Sequence, residues 1–253
     1  MLSAVVYDAR HIAGQNLHVI LYLRPFSKDE HIAHGFISVV QRGGFIESHE
    51  AALARLLSQV APCIAIGRPG ERLPPLGAYK IYVKERNWQS VVLSMLHQAE
   101  LVILRVGETG SFLWELKNSI QNVAPQRLII FHPRNSSSRR SMKASEYSEF
   151  REATAGIFPR ALPRDLGKAE FLAFDHEWNP YPLLGTANVW GRMRGVISGS
   201  RLPHFRVALM PVFRTLGIPM PGVPWSYSEY LALLLAIGVL WQWLRVLFIS
   251  LSS

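Results

Sequence analysis

The chain has 253 residues, which is enough for one domain of ordinary size with an additional segment, or for two small domains. Its formal net charge of +9 is spread along the sequence without a long basic tract or a nucleic-acid-binding motif, so no specific nucleic acid is expected as a partner. Cys63 is the only cysteine, which excludes an internal disulfide and a zinc site made of several thiolates.

Short apolar runs and amphipathic helical patterns alternate along residues 17–176, after an N-terminal segment at 1–16. The apolar runs are nearly continuous, which is typical of strands that are covered on both faces. In chain order, the patterns predict a strand at 19–23, a helix at 47–60, strands at 63–66 and 79–83, a helix at 88–99, a strand at 101–104, a helix that opens at Phe112, a strand at 127–131, a helix at 146–158 and a strand at 171–174.

This alternation predicts a three-layer α/β domain of the flavodoxin-like type, with an open parallel sheet and right-handed crossovers. In such sheets, ligands bind outside the carboxyl ends of the strands, near the switch in strand order. The loops at 24–29, 67–77 and 107–111 are therefore expected to share one rim, and this rim is where we expect the chemistry to take place.

The C-terminal part of the chain has a different character. Residues 177–228 are rich in Gly, Pro and Arg without a sustained period, which predicts a linker. Residues 229–251 are apolar except for a few positions and have the length of a membrane-spanning helix, with aromatic residues near both ends. We therefore expect a single-pass tail anchor that binds the membrane and holds the N-terminal domain in the cytoplasm. The alternative is a buried C-terminal helix of the globular domain.

Two segments resemble TIR domains, and the resemblance covers residues 19–131. Residues 21–29, with Arg24 and Phe26, resemble the first conserved box of that family. Residues 88–116 are similar to a later pattern, in which a helix and a strand lead to a Ser, a Trp and then Glu-Leu at the start of the next helix. Nucleoside deoxyribosyltransferase-like proteins and nucleotide-sensing Rossmann-like domains likewise place a Gly/Thr-rich turn before a Glu on a helix, so they stay as alternatives.

The resemblance implies a catalytic role for Glu115, the Glu of the Glu-Leu pair. Enzymatic TIR domains cleave the bond between nicotinamide and ribose in NAD, which is then a substrate and not a cofactor. A nearby carboxylate suits this reaction because it stabilises the oxocarbenium-like ribose that forms when the neutral pyridine leaves. The alternative is a first-turn Glu that only complements the helix dipole.

The other candidate site residues lie on the predicted rim. Arg24 is a candidate for a phosphate contact, and Trp114 for stacking on a base or a nicotinamide ring, although solvated loop arginines and core tryptophans are also common. No metal site is expected, because the histidines at 49, 97 and 132 have no metal-ligand spacing. The full set of ligand-binding candidates is Arg24, Phe26, Glu71, Gly107, Thr109, Ser111 and Trp114.

The expected function is that of a membrane-tethered, TIR-like domain that binds a small nucleotide and hydrolyses NAD in a bacterial stress or defence response. Whether the protein is an enzyme is open at this point. The first alternative is a non-catalytic signalling or scaffold module that acts by self-association, as a homo-oligomer. The second is a transferase that processes nucleosides.

Overall fold

The computed structural model of the protein describes residues 18–24, 49–67, 79–83, 85–107, 110–133, 140–185, 189–198, 200–223 and 227–251. The predicted N-terminal segment at 1–16 lies outside the described residues.

Seven strands form one sheet in the order β3-β2-β1-β4-β5-β6-β7. Each of the six predicted strands is found, within two residues of its expected bounds, and a seventh follows them. The strands are β1 (Val19–Leu23), β2 (Cys63–Gly67), β3 (Tyr79–Tyr82), β4 (Ala99–Arg105), β5 (Leu128–Phe131), β6 (Phe171–Phe174) and β7 (Pro180–Leu183).

Helices cover both faces of the sheet. The α-helices in the described residues are α1 (His49–Leu57), α2 (Trp88–Gln98), α3 (Gly110–Asn122), α4 (Arg140–Ala153), α5 (Val189–Ser198), α6 (Leu202–Thr215) and α7 (Tyr227–Leu251). Two short 3-10 turns, Glu85–Asn87 and Pro125–Arg127, precede α2 and β5.

Alternate side chains of β1 enter two separate cores. Leu21 and Leu23 pack in the core under α2, α3 and α4, whereas Ile20 and Tyr22 pack in the core under α1 and α6. Side chains of a strand point alternately to the two faces of the sheet, and here both faces are covered. Every residue of β1 is therefore apolar or aromatic and buried, and each fully buried aliphatic side chain contributes roughly 1.5–3 kcal/mol to folding.

Successive strands are added to the sheet first on one side of β1 and then on the other. The chain passes from β1 through α1 to β2 on one side, and later from β4 through α3 to β5 on the other side. Because both crossovers join neighbouring parallel strands, the right-handed rule requires α1 and α3 to lie on opposite faces. The switch in strand order lies between β1 and β4, and ligands of such sheets bind outside the carboxyl ends of the strands at this switch.

The sheet is mixed, so the prediction of a parallel sheet is wrong for its last part. β6 pairs with β5 in antiparallel orientation. The reason lies in the connection after α4, which runs back along that helix: the Tyr147 hydroxyl donates to the Pro163 carbonyl at 3.0 Å, and Arg151 donates to the Arg164 carbonyl. The chain thus returns to the carboxyl edge of β5 before β6 begins, and β6 must run in the opposite direction.

The predicted linker at 177–228 instead contains β7, α5 and α6. β7 forms the edge of the sheet, where prolines are tolerated because no further strand needs their missing N–H groups. Phe205, Leu209 and Phe213 of α6 are fully buried in the same core as α1. This segment is therefore an integral part of the folded domain, because it covers one face of the sheet.

The prediction of a transmembrane helix is wrong. In the part of the chain that the structure describes, no helix combines the length and the apolar character needed to cross a membrane. The expected membrane partner and the single-pass tail anchor are overturned with it. The C-terminal stretch does form a helix, α7, and its first turn is tied to α5 by an ion pair between Arg194 and Glu229, at 2.5 Å.

Candidate functional site

The carboxyl ends of β1 and β4 both finish with a leucine followed by an arginine. Leu23 and Leu104 are partners in the parallel register, so Arg24 and Arg105 leave the two strands side by side. Both arginines continue the alternation of Tyr22 and Ile103, which point to the face covered by α1. The sequence thus places two guanidinium groups next to each other at the switch point.

A carboxylate from α1 lies between these arginines. Arg105 Nη1 contacts Glu50 Oε1, and Arg24 Nη1 is 3.8 Å from Glu50 Oε2. Glu50 is in the first turn of α1, where a negative charge also complements the helix dipole. The three side chains are only 9–11% exposed, so this is a nearly buried group with two positive charges and one negative charge.

Apart from the ion pair between Arg105 Nη1 and Glu50 Oε1, two polar atoms of this cluster have no hydrogen-bond partner in the described part of the chain: Arg105 Nε and the hydroxyl of Tyr22. Burial, and then the nearby charge of Glu50, raise the pKa of Tyr22 well above 10, so its hydroxyl keeps its proton. A buried donor without an acceptor costs about 1–3 kcal/mol. These donors are therefore available to an acceptor that enters the site.

A second polar cluster adjoins the first along the same edge. Glu170, directly before β6, is almost fully buried, and its Oε1 lies 2.9 Å from His49 Nδ1. Its other oxygen, Oε2, lies 3.6 Å from His204 Nε2. Arg201 is the fourth member of this cluster, with its Nη2 at 4.0 Å from Glu170 Oε1. Because His49 and Glu50 are consecutive residues of α1, the two clusters share the start of that helix.

The second cluster holds three elements together. Arg201 Nε donates to His49 Nε2 at 3.2 Å, which leaves the proton of a neutral His49 ring on Nδ1, facing Glu170. His204 is packed so closely on Gly185 that a Cβ there would lie 2.6 Å from its ring. Burial lowers the pKa of His204, although the charge of Glu170 opposes this effect. The cluster fixes the first turn of α1 against β6 and α6, and so fixes the backbone of Glu50.

Only some of the site residues predicted from the sequence lie near these two clusters. Arg24 lies in the first cluster, Gly107 is buried just after β4, and Ser111 is half-buried in the first turn of α3. Phe26, Glu71 and Thr109 lie outside the described residues.

Glu115 and Trp114 belong to α3, on the opposite face of the sheet from Glu50. Glu115 is 2% exposed, and burial raises its pKa to about 8. Trp114 packs edge-to-face on Trp88, with the ring centroids 4.7 Å apart, and the pair adjoins the core under α2 and α3. This contact favours the core role that was the alternative for Trp114, while Glu115 is a buried acid in the first half of its helix.

Sequence reasoning missed the importance of Arg105 and Glu50. The signal for Arg105 was present, because a charged residue ends a buried strand in the same Leu-Arg pair that ends β1. Glu50 was visible only as an acidic residue in the first turn of a helix. Neither residue could be paired with Arg24 without the strand order. Among the described residues, no group of three or more His, Cys, Asp and Glu side chains is arranged to hold a metal ion.

Comparisons with known proteins add no assignment. No protein-family model matches the chain, and neither the curated proteins nor the solved structures include a match to it. The function therefore has to be inferred from the two clusters and from Glu115.

Proposed function

We propose that the domain binds a nucleotide, and that the phosphates of this nucleotide occupy the space between the carboxyl ends of β1 and β4. The observation that carries the proposal is Arg105. Its side chain is 9% exposed, and its Nε has no acceptor within the described residues. A guanidinium group presents its N–H donors in a planar fork that matches the oxygens of a phosphate.

The charge of the cluster supports an anionic ligand. Two guanidinium groups face one carboxylate, so the three groups together carry a net positive charge. A net positive charge attracts an anion, and a phosphate can accept from Arg105 Nε, which has no acceptor within the described residues. The position also fits, because the switch point is where open α/β sheets bind their ligands.

Removal of one charge-assisted hydrogen bond costs about 1.5–3 kcal/mol, which is roughly 10- to 150-fold in affinity. We therefore expect Arg105→Gln to weaken nucleotide binding by at least about tenfold. The matched control is Arg127→Gln. Arg127 directly precedes β5, at the amino ends of the parallel strands, where it donates to the Glu100 carbonyl. Its replacement therefore removes the same charge far from the site.

Isothermal titration of the full chain with ADP, NAD and adenosine tests the proposal. ADP and NAD are expected to bind, and adenosine, which has no phosphate, is expected to bind at least about tenfold more weakly. Arg127→Gln should keep the wild-type affinity. The proposal fails if none of the three compounds binds, or if Arg105→Gln binds ADP as tightly as the wild type does.

A second candidate function, hydrolysis of the nicotinamide–ribose bond of NAD, is favoured by the buried acid Glu115. Glu115 lies near the start of α3, which begins five residues after the end of β4, and strongly perturbed carboxyl groups are typical of catalytic sites. A carboxylate stabilises an oxocarbenium-like ribose only when it is ionised. Since burial raises the pKa of Glu115 to about 8, the reaction rate should increase with pH up to about 8.

Release of nicotinamide from NAD by the full chain, measured from pH 5.5 to 9, tests this second candidate. Glu115→Gln should abolish the release and leave the binding of ADP unchanged. Binding of NAD without turnover, together with self-association at higher protein concentration, would favour a non-catalytic module. Release of a free base from a nucleoside would favour a nucleoside-processing transferase.

A further inference from the structure

We propose that Glu50 sets the affinity of the nucleotide site, because its carboxylate contacts the same arginine side chains to which a ligand phosphate binds. This inference rests on the proposed function and adds a mechanism for its control. Glu50 is then an anion built into the protein, and a nucleotide binds by competing with it.

The geometry of Glu50 is that of a bound anion. Its Oε1 contacts Arg105 Nη1, and its Oε2 lies 3.8 Å from Arg24 Nη1, so the carboxylate bridges the two guanidinium groups. A phosphate with two free oxygens presents the same charge and a similar pair of acceptors to the same groups. The carboxylate uses Nη1 of Arg105 but leaves Nε without an acceptor, so it satisfies this arginine only in part.

The alternative role for Glu50 is to position the arginines, and the structure favours competition over that role. Arg105 is the last residue of β4, which is held between β1 and β5, so its backbone is fixed by the sheet. Arg24 follows β1, whose five residues are all buried, and its 3.8 Å separation from Glu50 is too long for a directional hydrogen bond. The first turn of α1 is held independently by the contact of His49 with Glu170.

The consequences for stability and for affinity have opposite signs. Without the carboxylate, the nearly buried guanidinium group of Arg105 loses the carboxylate that it contacts, so the free protein becomes less stable. A bound phosphate replaces that counter-ion and meets no competing carboxylate, so it binds more tightly. A residue that only positions the arginines would lower both quantities when it is replaced.

The test compares wild type, Glu50→Gln and the matched control Glu100→Gln in the full chain. Glu100 lies at the amino end of β4, where its side chain contacts His18. The control therefore removes one carboxylate at the end of the strand that is remote from the arginines. ADP is titrated into each protein, and thermal unfolding is recorded without ADP and with saturating ADP. Glu50→Asp is included because it keeps the charge and withdraws the carboxylate from the arginines by one methylene.

We expect Glu50→Gln to melt below the wild type without ADP, to bind ADP at least about tenfold more tightly, and to gain more in melting temperature on ADP binding. Glu50→Asp should bind ADP with intermediate affinity, and this result decides the matter if Glu50→Gln does not fold. Glu100→Gln should match the wild type. If the wild type binds ADP and both Glu50 variants bind it equally or more weakly, the inference is overturned and the proposed function stands. If no protein binds ADP, the proposed function itself fails.

Discussion

Replacing Glu115 by Gln should stabilise the protein at neutral and alkaline pH. Burial raises the pKa of Glu115 from its usual 4.5 to about 8, so the folded protein holds this proton where the unfolded chain releases it. The stability that the protonated acid contributes is fully present below pH 4.5 and is lost as the pH rises to about 8. Gln has nearly the same shape and does not titrate.

The magnitude follows from this difference in pKa. Each pKa unit corresponds to about 1.4 kcal/mol, so the penalty on wild-type stability reaches about 3 kcal/mol at pH 7 and about 5 kcal/mol above pH 8. The side chain is 2% exposed, so solvent screening does not reduce these figures much. Between pH 5 and pH 8, the free energy of unfolding should therefore fall by about 3.5 kcal/mol more in the wild type than in Glu115→Gln.

Urea unfolding followed by tryptophan fluorescence at pH 5, 6, 7 and 8 measures this difference. Glu152→Gln, which removes an exposed carboxyl group near the end of α4, serves as the control for the loss of a carboxyl group. Equal pH dependence of the wild type and Glu115→Gln would refute the reasoning, since it would mean that Glu115 is ionised in the folded protein. If Glu115→Gln stabilises the protein and also abolishes nicotinamide release, Glu115 lowers stability in exchange for activity, as is common at catalytic sites.

Two further predictions concern the packing around β7 and β2. Gly185→Ala should lower the free energy of unfolding by about 1–3 kcal/mol in urea titrations, because a Cβ there would lie 2.6 Å from the ring of His204 and 2.7 Å from its carbonyl oxygen; an unchanged midpoint would show that the two segments separate easily. Cys63 should resist alkylation by iodoacetamide at pH 8 in the native protein and react once urea is added, because burial raises the pKa of its thiol to about 12; rapid labelling of the native protein would contradict the buried position of β2.

The parallel part of the sheet was predictable because its strands are covered on both faces. Such strands leave continuous apolar runs in the sequence, as in β1 and β4, and the amphipathic pattern of α2, which precedes β4, is equally clear. The orientation of β6 was not predictable in this way. It depends on the path of residues 154–170 along α4, and no local pattern encodes that path.

α6 shows why the segment after β6 was misinterpreted. Its two prolines resemble linker residues, yet Pro203 lies in the first turn, where its missing N–H leaves no helical hydrogen bond unmade. The buried Phe205, Leu209 and Phe213 are spaced four residues apart on one helical face. That spacing was a usable signal, and the Pro and Gly content of the surrounding sequence obscured it.

The candidate site could be predicted only in part. Arg24 was identified from its position after the first strand, because the carboxyl edge of a parallel sheet is the expected place for a ligand. Its partners Glu50 and Arg105 are distant in sequence from Arg24 and from each other, and only the order β2-β1-β4 brings them together. A single sequence contains no information on that order until the crossovers are known.

The position of a bound nucleotide is the most direct test of the central claim, that phosphate binds between the ends of β1 and β4. A crystal structure of the full chain with ADP would provide it. We expect a phosphate oxygen at about 2.7–3.2 Å from Arg105 Nε, with the carboxylate of Glu50 displaced from Arg105. ADP bound elsewhere, for example beside Glu115 on the opposite face of the sheet, with the contact between Arg105 and Glu50 intact, would contradict it.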